Sequence, residues 1–270
     1  VQYYLMAIDL AHSEAMCHLG YYYQTVVKDY KLMLKYYLMA IKLNNAKAML
    51  NLGSYYAHVE KDYNLMSQYY LMAIKLNNTK AMINLGSYYA HIEKDYKRMT
   101  QYYLMAIELS NSDAMYKLGL YYAHIEKDYE RMTQYYLMAI ELFNSDAMYS
   151  LGLYYEIIEE DYELMTQYYL MAIELSNSDA MNNLGSYYYV KKDYKLMIKY
   201  CSMAVELSNS DAMCCLGSYY GDVEKDYGLM VRYCLMAVEL SNTKAMIILG
   251  YYYGDVEKDY GLMVSYCLMA

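Results

Sequence analysis

The sequence predicts an all-α protein, an α-solenoid of about eight stacked two-helix repeats of 33 residues. Three observations carry that expectation. The first is a ruler of Met-Ala phrases at Met6, Met39, Met72, Met105, Met138, Met171, Met203, Met236 and Met269, stepping by 33 residues with a single step of 32 after Met171. A fixed period of this length is the mark of a repeat array. The second is that every period divides into two stretches whose apolar residues recur at helical spacing. The third is composition. Pro is absent, so nothing breaks a helix from within. Tyr is used 44 times against one Phe, and a side chain with an apolar body and a polar tip suits a thin, elongated core.

Taken in order, the first stretch is typified by residues 111–122. Asn111 or Ser112 can accept the orphan N–H groups of the first turn, and Asp113 sits favourably at the positive end of the helix dipole. Ala114, Met115, Leu118, Gly119 and Tyr122 then form an apolar stripe. Gly119 costs about 1 kcal/mol of helix propensity relative to Ala. Yet Gly recurs there in every unit, as Gly20, Gly53, Gly86, Gly152, Gly185, Gly217 and Gly250, and close approach of a neighbouring helix explains its retention. The phrase "AHIEKDY" reads as a solvated loop. The second stretch opens on Asp128, an N-cap residue with equivalents at Asp29, Asp62, Asp95, Asp161, Asp193, Asp226 and Asp259. Met132, Tyr135, Tyr136, Ala139, Ile140 and Leu142 mark a broad buried face, with Ala139 the small residue that lets the two helices close. One pair cannot bury so much apolar surface, whereas stacked neighbours can. The short step falls where "LGLYYEIIEED" (151–161) becomes "LGSYYYVKKD" (184–193). Without linkers or composition breaks, residues 1–270 read as a single helical-repeat domain, a segment of a longer array or a filament subunit.

Several function classes are disfavoured. A net charge of −9 argues against nucleic acid, whose binding rests on cations that neutralise phosphates. No apolar run reaches the roughly 20 residues of a membrane span, and "VQYYLMAIDL" lacks the pattern of a signal peptide. Of six cysteines, Cys201, Cys234 and Cys267 repeat one position, and equivalent positions on packed helices lie about 8–10 Å apart, beyond disulfide reach. Cys214 and Cys215 are neighbours on one helix and point apart. Six free thiols fit a reducing, intracellular and cytoplasmic setting. His58, His91 and His124 step one per unit and cannot converge on one metal ion. Glu156, Glu159, Glu160 and Asp161 read as a solvated loop with an N-cap. A ladder of equivalent groups does not make the single asymmetric constellation that catalysis needs, and "LGS" and "LGL" are helix-interior glycines without a phosphate-loop context.

The unit "AMYKLGLYY…DYERMTQYYLMAI…SDAM" resembles the Sel-one-like repeat, a relative of the tetratricopeptide repeat. Ala114, Leu118, Gly119 and Tyr122 match the first half of its pattern; Asp128, Tyr129, Tyr135, Tyr136 and Ala139 match the second. Met132 and Ile140 stand where the family usually has Ala, and the inter-helix segment is shorter than the family's. The Tyr/Met-rich spelling is similar to that of repeat proteins encoded by giant viruses of amoebae, which would place the chain in host cytoplasm or a virion. The resemblance covers essentially the whole chain. It implies a right-handed solenoid and a non-enzymatic adaptor or scaffold for a protein or peptide partner, with no cofactor, metal or catalytic residue. If tetratricopeptide geometry carries over, the first helices line a concave face. Ile83, Ser87, His91, Tyr116, Leu120, His124, Tyr149, Leu153 and Glu156 are then its partner-binding positions. The alternative is a structural protein stacking head-to-tail into filaments, since "VQYYLMA" and "VSYCLMA" lie in the same phase and neither end carries a polar capping repeat.

Overall fold

The computed structural model describes residues 12–270, so the first copy of the Met-Ala phrase lies outside the described residues. Among the described residues there are sixteen α-helices and no strand. The chain divides between Leu142 and Phe143 into two compact units, each a stack of four helix pairs. The first unit holds α1 (Ser13–Tyr22), α2 (Tyr30–Lys42), α3 (Ala46–Tyr55), α4 (Tyr63–Ile74), α5 (Thr79–Tyr88), α6 (Tyr96–Glu108), α7 (Ser112–Tyr121) and α8 (Tyr129–Glu141). The second holds α9 (Ser145–Ile157), α10 (Tyr162–Glu174), α11 (Ser178–Val190), α12 (Tyr194–Glu206), α13 (Ser210–Tyr219), α14 (Tyr227–Glu239), α15 (Thr243–Tyr251) and α16 (Tyr260–Met269). Odd-numbered helices open each pair.

Capping decides where the helices begin. Asn111, rather than Ser112, caps α7: its Oδ1 accepts from the Ala114 N–H at 2.9 Å. Its Nδ2 donates to Thr79 Oγ1 of the preceding pair at 3.3 Å, so one side chain ends a helix and ties two pairs together. Asp would cap as well but could not donate. Asp128 caps α8 by accepting from the Arg131 N–H at 3.0 Å. The even helices from α2 to α14 end on a left-handed residue, Ser110 after α6 at φ 56°, and the Asn111 N–H reaches back to the Ala106 carbonyl at 3.1 Å. That is the six-to-one closure of a Schellman motif.

The core repeats as the sequence predicts. Ala114, Met115, Leu118, Gly119 and Tyr122 are all buried, as are Met132, Tyr136 and Ala139. A Cβ on Gly119 would lie 2.5 Å from ring carbon Cδ1 of Tyr136. The glycine is therefore the seat of the second helix's tyrosine. Tyr135 and Ile140 are half-buried, but Leu142 is 41% exposed. It caps α8 with φ −102°, past the last helical turn, and its side chain swings out of the buried face.

The inter-helix segment differs from the expected loop. Tyr122–Glu126 is a π-helical turn that continues α7, leaving only Lys127, at φ 55°, and Asp128 to reverse the chain. The same turn follows α1, α3, α5, α13 and α15. It absorbs the extra residue of the 33-residue unit, with the Asp128 N–H bonded to the Tyr122 carbonyl six residues back at 3.0 Å. After α9 the same six-residue closure joins Asp161 to Tyr155 without a π turn. In the 32-residue unit the span falls to five, Asp193 to Tyr188 at 3.0 Å, and α11 stays α-helical throughout.

Candidate functional site

The repeating pairs leave a ladder of clefts where the ends of adjacent first helices meet the start of a second helix. Two consecutive clefts in the first unit share His91. One, of about 280 Å³, lies between His58 and His91 over Met66 and Tyr70. The next, of about 260 Å³, lies between His91 and His124 over Met99 and Tyr103, with Lys94, Lys117, Leu120 and Ile125 on its walls. In the second unit, the corresponding cleft of about 360 Å³ runs between Asp222 and Asp255 over Met230. The buried Met of the second helix floors all three clefts, joined in the two first-unit clefts by a buried Tyr. The lips change from unit to unit.

A tyrosine relay fixes these walls. Tyr63, at the start of α4, packs 5.2 Å from Tyr88 of the next pair. Tyr88 meets Tyr89 edge-on at 5.3 Å, and Tyr89 stacks on Tyr102 of α6 at 5.6 Å with the rings 4° from parallel. Tyr96, Tyr121, Tyr122 and Tyr135 repeat the relay, and in the second unit so do Tyr194, Tyr219, Tyr220 and Tyr233. Tyr88 and Tyr121 donate their hydroxyls to Glu93 and Glu126. Burial, reinforced by that neighbouring carboxylate, pushes both phenols up from 10 to about 12.

The sequence-predicted partner positions separate into two groups. His91, Leu120 and His124 line the His91–His124 cleft, and Ser87 lines its neighbour while its Oγ lies 3.1 Å from the Tyr103 hydroxyl. Ile83 is a correction: it is 8% exposed. Its position in the unit faces the next pair, as shown by Cys17 accepting from Asn51 Nδ2 at 3.9 Å and Cys214 donating to Asn242 Oδ1 at 3.2 Å. Tyr116 packs its ring 5.8 Å from Tyr136. Tyr149 packs 5.9 Å from Tyr169 and accepts from Asn183. Leu153 is half-buried. Glu156 accepts from the Tyr169 hydroxyl at 2.5 Å. Its acidic neighbours are also engaged, Glu159 accepting from Tyr154 and Asp161 capping α10.

Sequence reasoning missed Lys94, Lys117 and Ile125. Lys117 stands where other units have Asn51, Asn84 or Asn183, and that alternation was a readable signal. The six cysteines are free. Among the described residues no group of three or more His, Cys, Asp and Glu is placed to hold a metal, and no helix is long and apolar enough to cross a membrane.

No family model matches the sequence, and no curated protein matches it. Solved structures do match. A protective antigen of uropathogenic Escherichia coli strains, displaying an SLR fold, superposes with a TM-score of 0.68 at 23% identity over 98% of this chain. The chain spans 62% of that protein. A Sel1 repeat protein from Oxalobacter formigenes gives 0.68 at 26% identity, over 83% of this chain and 99% of that one. Yeast Tom70 shares the helical-repeat fold alone, at 0.59 and 16% identity over 89% of this chain and 56% of its own. These superpositions, with the Leu-Gly seat repeated in every pair, give the chain the helical-repeat fold of Sel1-like repeat proteins.

Proposed function

We propose that the chain is a non-enzymatic protein-interaction scaffold that takes a protein or peptide segment along the face lined by its first helices, the concave face of tetratricopeptide-like arrays. The observation that supports this reading is the ladder of clefts with a constant Met floor and variable lips. A uniform floor serves folding, so variation at the rim is free to serve recognition. Replacing His91, Leu120 and His124 together by Ser should weaken capture of a partner from the native cell lysate at least tenfold, with helicity unchanged by circular dichroism. Unchanged capture would overturn the site.

A further inference from the structure

Two of the three clefts at equivalent positions carry opposite charge. Between Asp222 and Asp255 the lips are acidic, with Lys225 the single cation. Between His91 and His124 no carboxylate lines the cleft, and Lys94 and Lys117 both do. This is unusual in a chain of net charge −9. The nearby arginines are already committed: Arg98 pairs with Asp95 at 3.3 Å and lies over the Tyr89 ring, and Arg131 pairs with Asp128 at 3.4 Å over Tyr122. Among the described residues neither Lys94 nor Lys117 joins an ion pair with a carboxylate. The carboxylates that flank Lys94 in sequence are engaged elsewhere: Glu93 accepts from the Tyr88 hydroxyl, and Asp95 caps α6 and pairs with Arg98. Lys117 is half-buried, its aliphatic stem available to the cleft wall while its ammonium stays at the rim. Beneath the cations, Met99 and Tyr103 give an apolar floor, and Met adapts to varied shapes.

We propose that the His91–His124 cleft binds an acidic peptide segment in which an Asp or Glu flanks a bulky apolar side chain, the carboxylate meeting Lys94 and Lys117 and the apolar group entering over Met99 and Tyr103. This rests on the scaffold reading above and names the class of partner. Charge complementarity selects the occupant: cationic lips set the sign of the ligand, and the apolar floor adds the requirement for a hydrophobic anchor. A basic segment belongs to the Asp222–Asp255 cleft instead.

The test uses four short fluorescein-labelled peptides on the full chain, with centres Glu-Phe-Asp, Gln-Phe-Asn, Glu-Ala-Asp and Lys-Phe-Lys, read by fluorescence anisotropy. Glu-Phe-Asp should bind tightest. Lys117→Asn installs the residue that Asn84 already provides one unit earlier and so keeps the fold. Combined with Lys94→Gln, it should weaken Glu-Phe-Asp by roughly tenfold, as expected for a lost charge-assisted contact, and leave Gln-Phe-Asn within twofold. Equal affinity for all four peptides, preference for Lys-Phe-Lys, or a double variant that binds Glu-Phe-Asp as well as the parent would overturn the proposal. If no peptide binds while lysate capture still depends on His91, Leu120 and His124, the acidic assignment fails and the scaffold stands. Loss of that dependence is the separate failure of the scaffold reading.

Discussion

At the scale of single residues, the Leu-Gly phrase shows sterics overruling propensity. Replacing a helix-interior Gly by Ala gains about 1 kcal/mol of propensity, and at an exposed site that gain should appear as stability. Gly228, exposed in the first turn of α14, is such a site, with only Asp226 Oδ1 near its absent Cβ, at 3.3 Å. Gly119 is the opposite case, since its Cβ would enter the Tyr136 ring at 2.5 Å, and overpacking of this kind costs about 1–3 kcal/mol. In urea denaturation Gly228→Ala should therefore raise stability by up to about 1 kcal/mol, and Gly119→Ala should lower it by up to about 2 kcal/mol, the overpacking cost less the propensity gain. Equal signs would refute the account of the glycine as a seat. This much was legible in the sequence, because a costly residue kept at one phase of every unit demands a steric reason. The burial of Ile83 was not legible. Helical phase placed it on the outward stripe, but what covers it is the next pair, and the angle at which pairs stack is not written into any one helix.

At the scale of elements, units differ by compensated exchanges. Where most second helices seat a Tyr on the glycine, α12 has Cys201, which packs in a cluster with Met197, Leu216 and Tyr219. Two neighbouring positions change with it. Cys215 replaces the Asn that reaches the tyrosine hydroxyl elsewhere, as Asn84 reaches Tyr70 and Asn183 reaches Tyr169, each at 3.4 Å. Tyr189, standing where Ala57, Ala90 and Ala123 do, packs against the Cys201 cluster and refills the vacated volume. A double-mutant cycle tests this. Cys201→Tyr alone should overpack and cost about 1–3 kcal/mol, and Tyr189→Ala alone should leave a cavity. Together they should cost less than the sum by 1 kcal/mol or more, a coupling of the size seen for residues in contact. Additivity within about 0.5 kcal/mol would show that Tyr189 does not fill the space. Sequence reading saw Cys at the tyrosine position and the Asp caps of every second helix, but missed Tyr189 and the π turns. Both depend on how one residue more or less is absorbed between helices, a matter of closure geometry that local propensity does not encode. The pair Lys94 and Lys117 was hidden for a related reason: they lie on successive pairs and meet only across the cleft.

At the scale of the whole molecule, the tyrosine relay couples stability to alkaline pH in both units. Tyr55, Tyr88 and Tyr121 are pushed from 10 to about 12, first by burial and then by their bonds to Glu60, Glu93 and Glu126. Tyr219 and Tyr252 reach about 12 chiefly through the bonds to Glu224 and Glu257. Tyr37 and Tyr169 are raised further, chiefly by burial. In each case the folded chain holds its proton more tightly than the unfolded chain, so stability falls with rising pH across the range where the native state still binds the proton that the unfolded state has lost. The contribution is complete below pH 10 and is lost as pH rises through about 12. Because the shifted phenols recur along the array, their slopes add, and helix content should collapse steeply across that window while changing little between pH 7 and 9. Parallel titrations by far-ultraviolet circular dichroism and tyrosinate absorbance read both sides of this linkage, and the two transitions should coincide. Replacing Glu60, Glu93 and Glu126 by Gln retains an acceptor for each hydroxyl and removes the negative charge beside it. That variant should lose stability less steeply between pH 10 and 12, and an unchanged slope would assign the effect to burial alone.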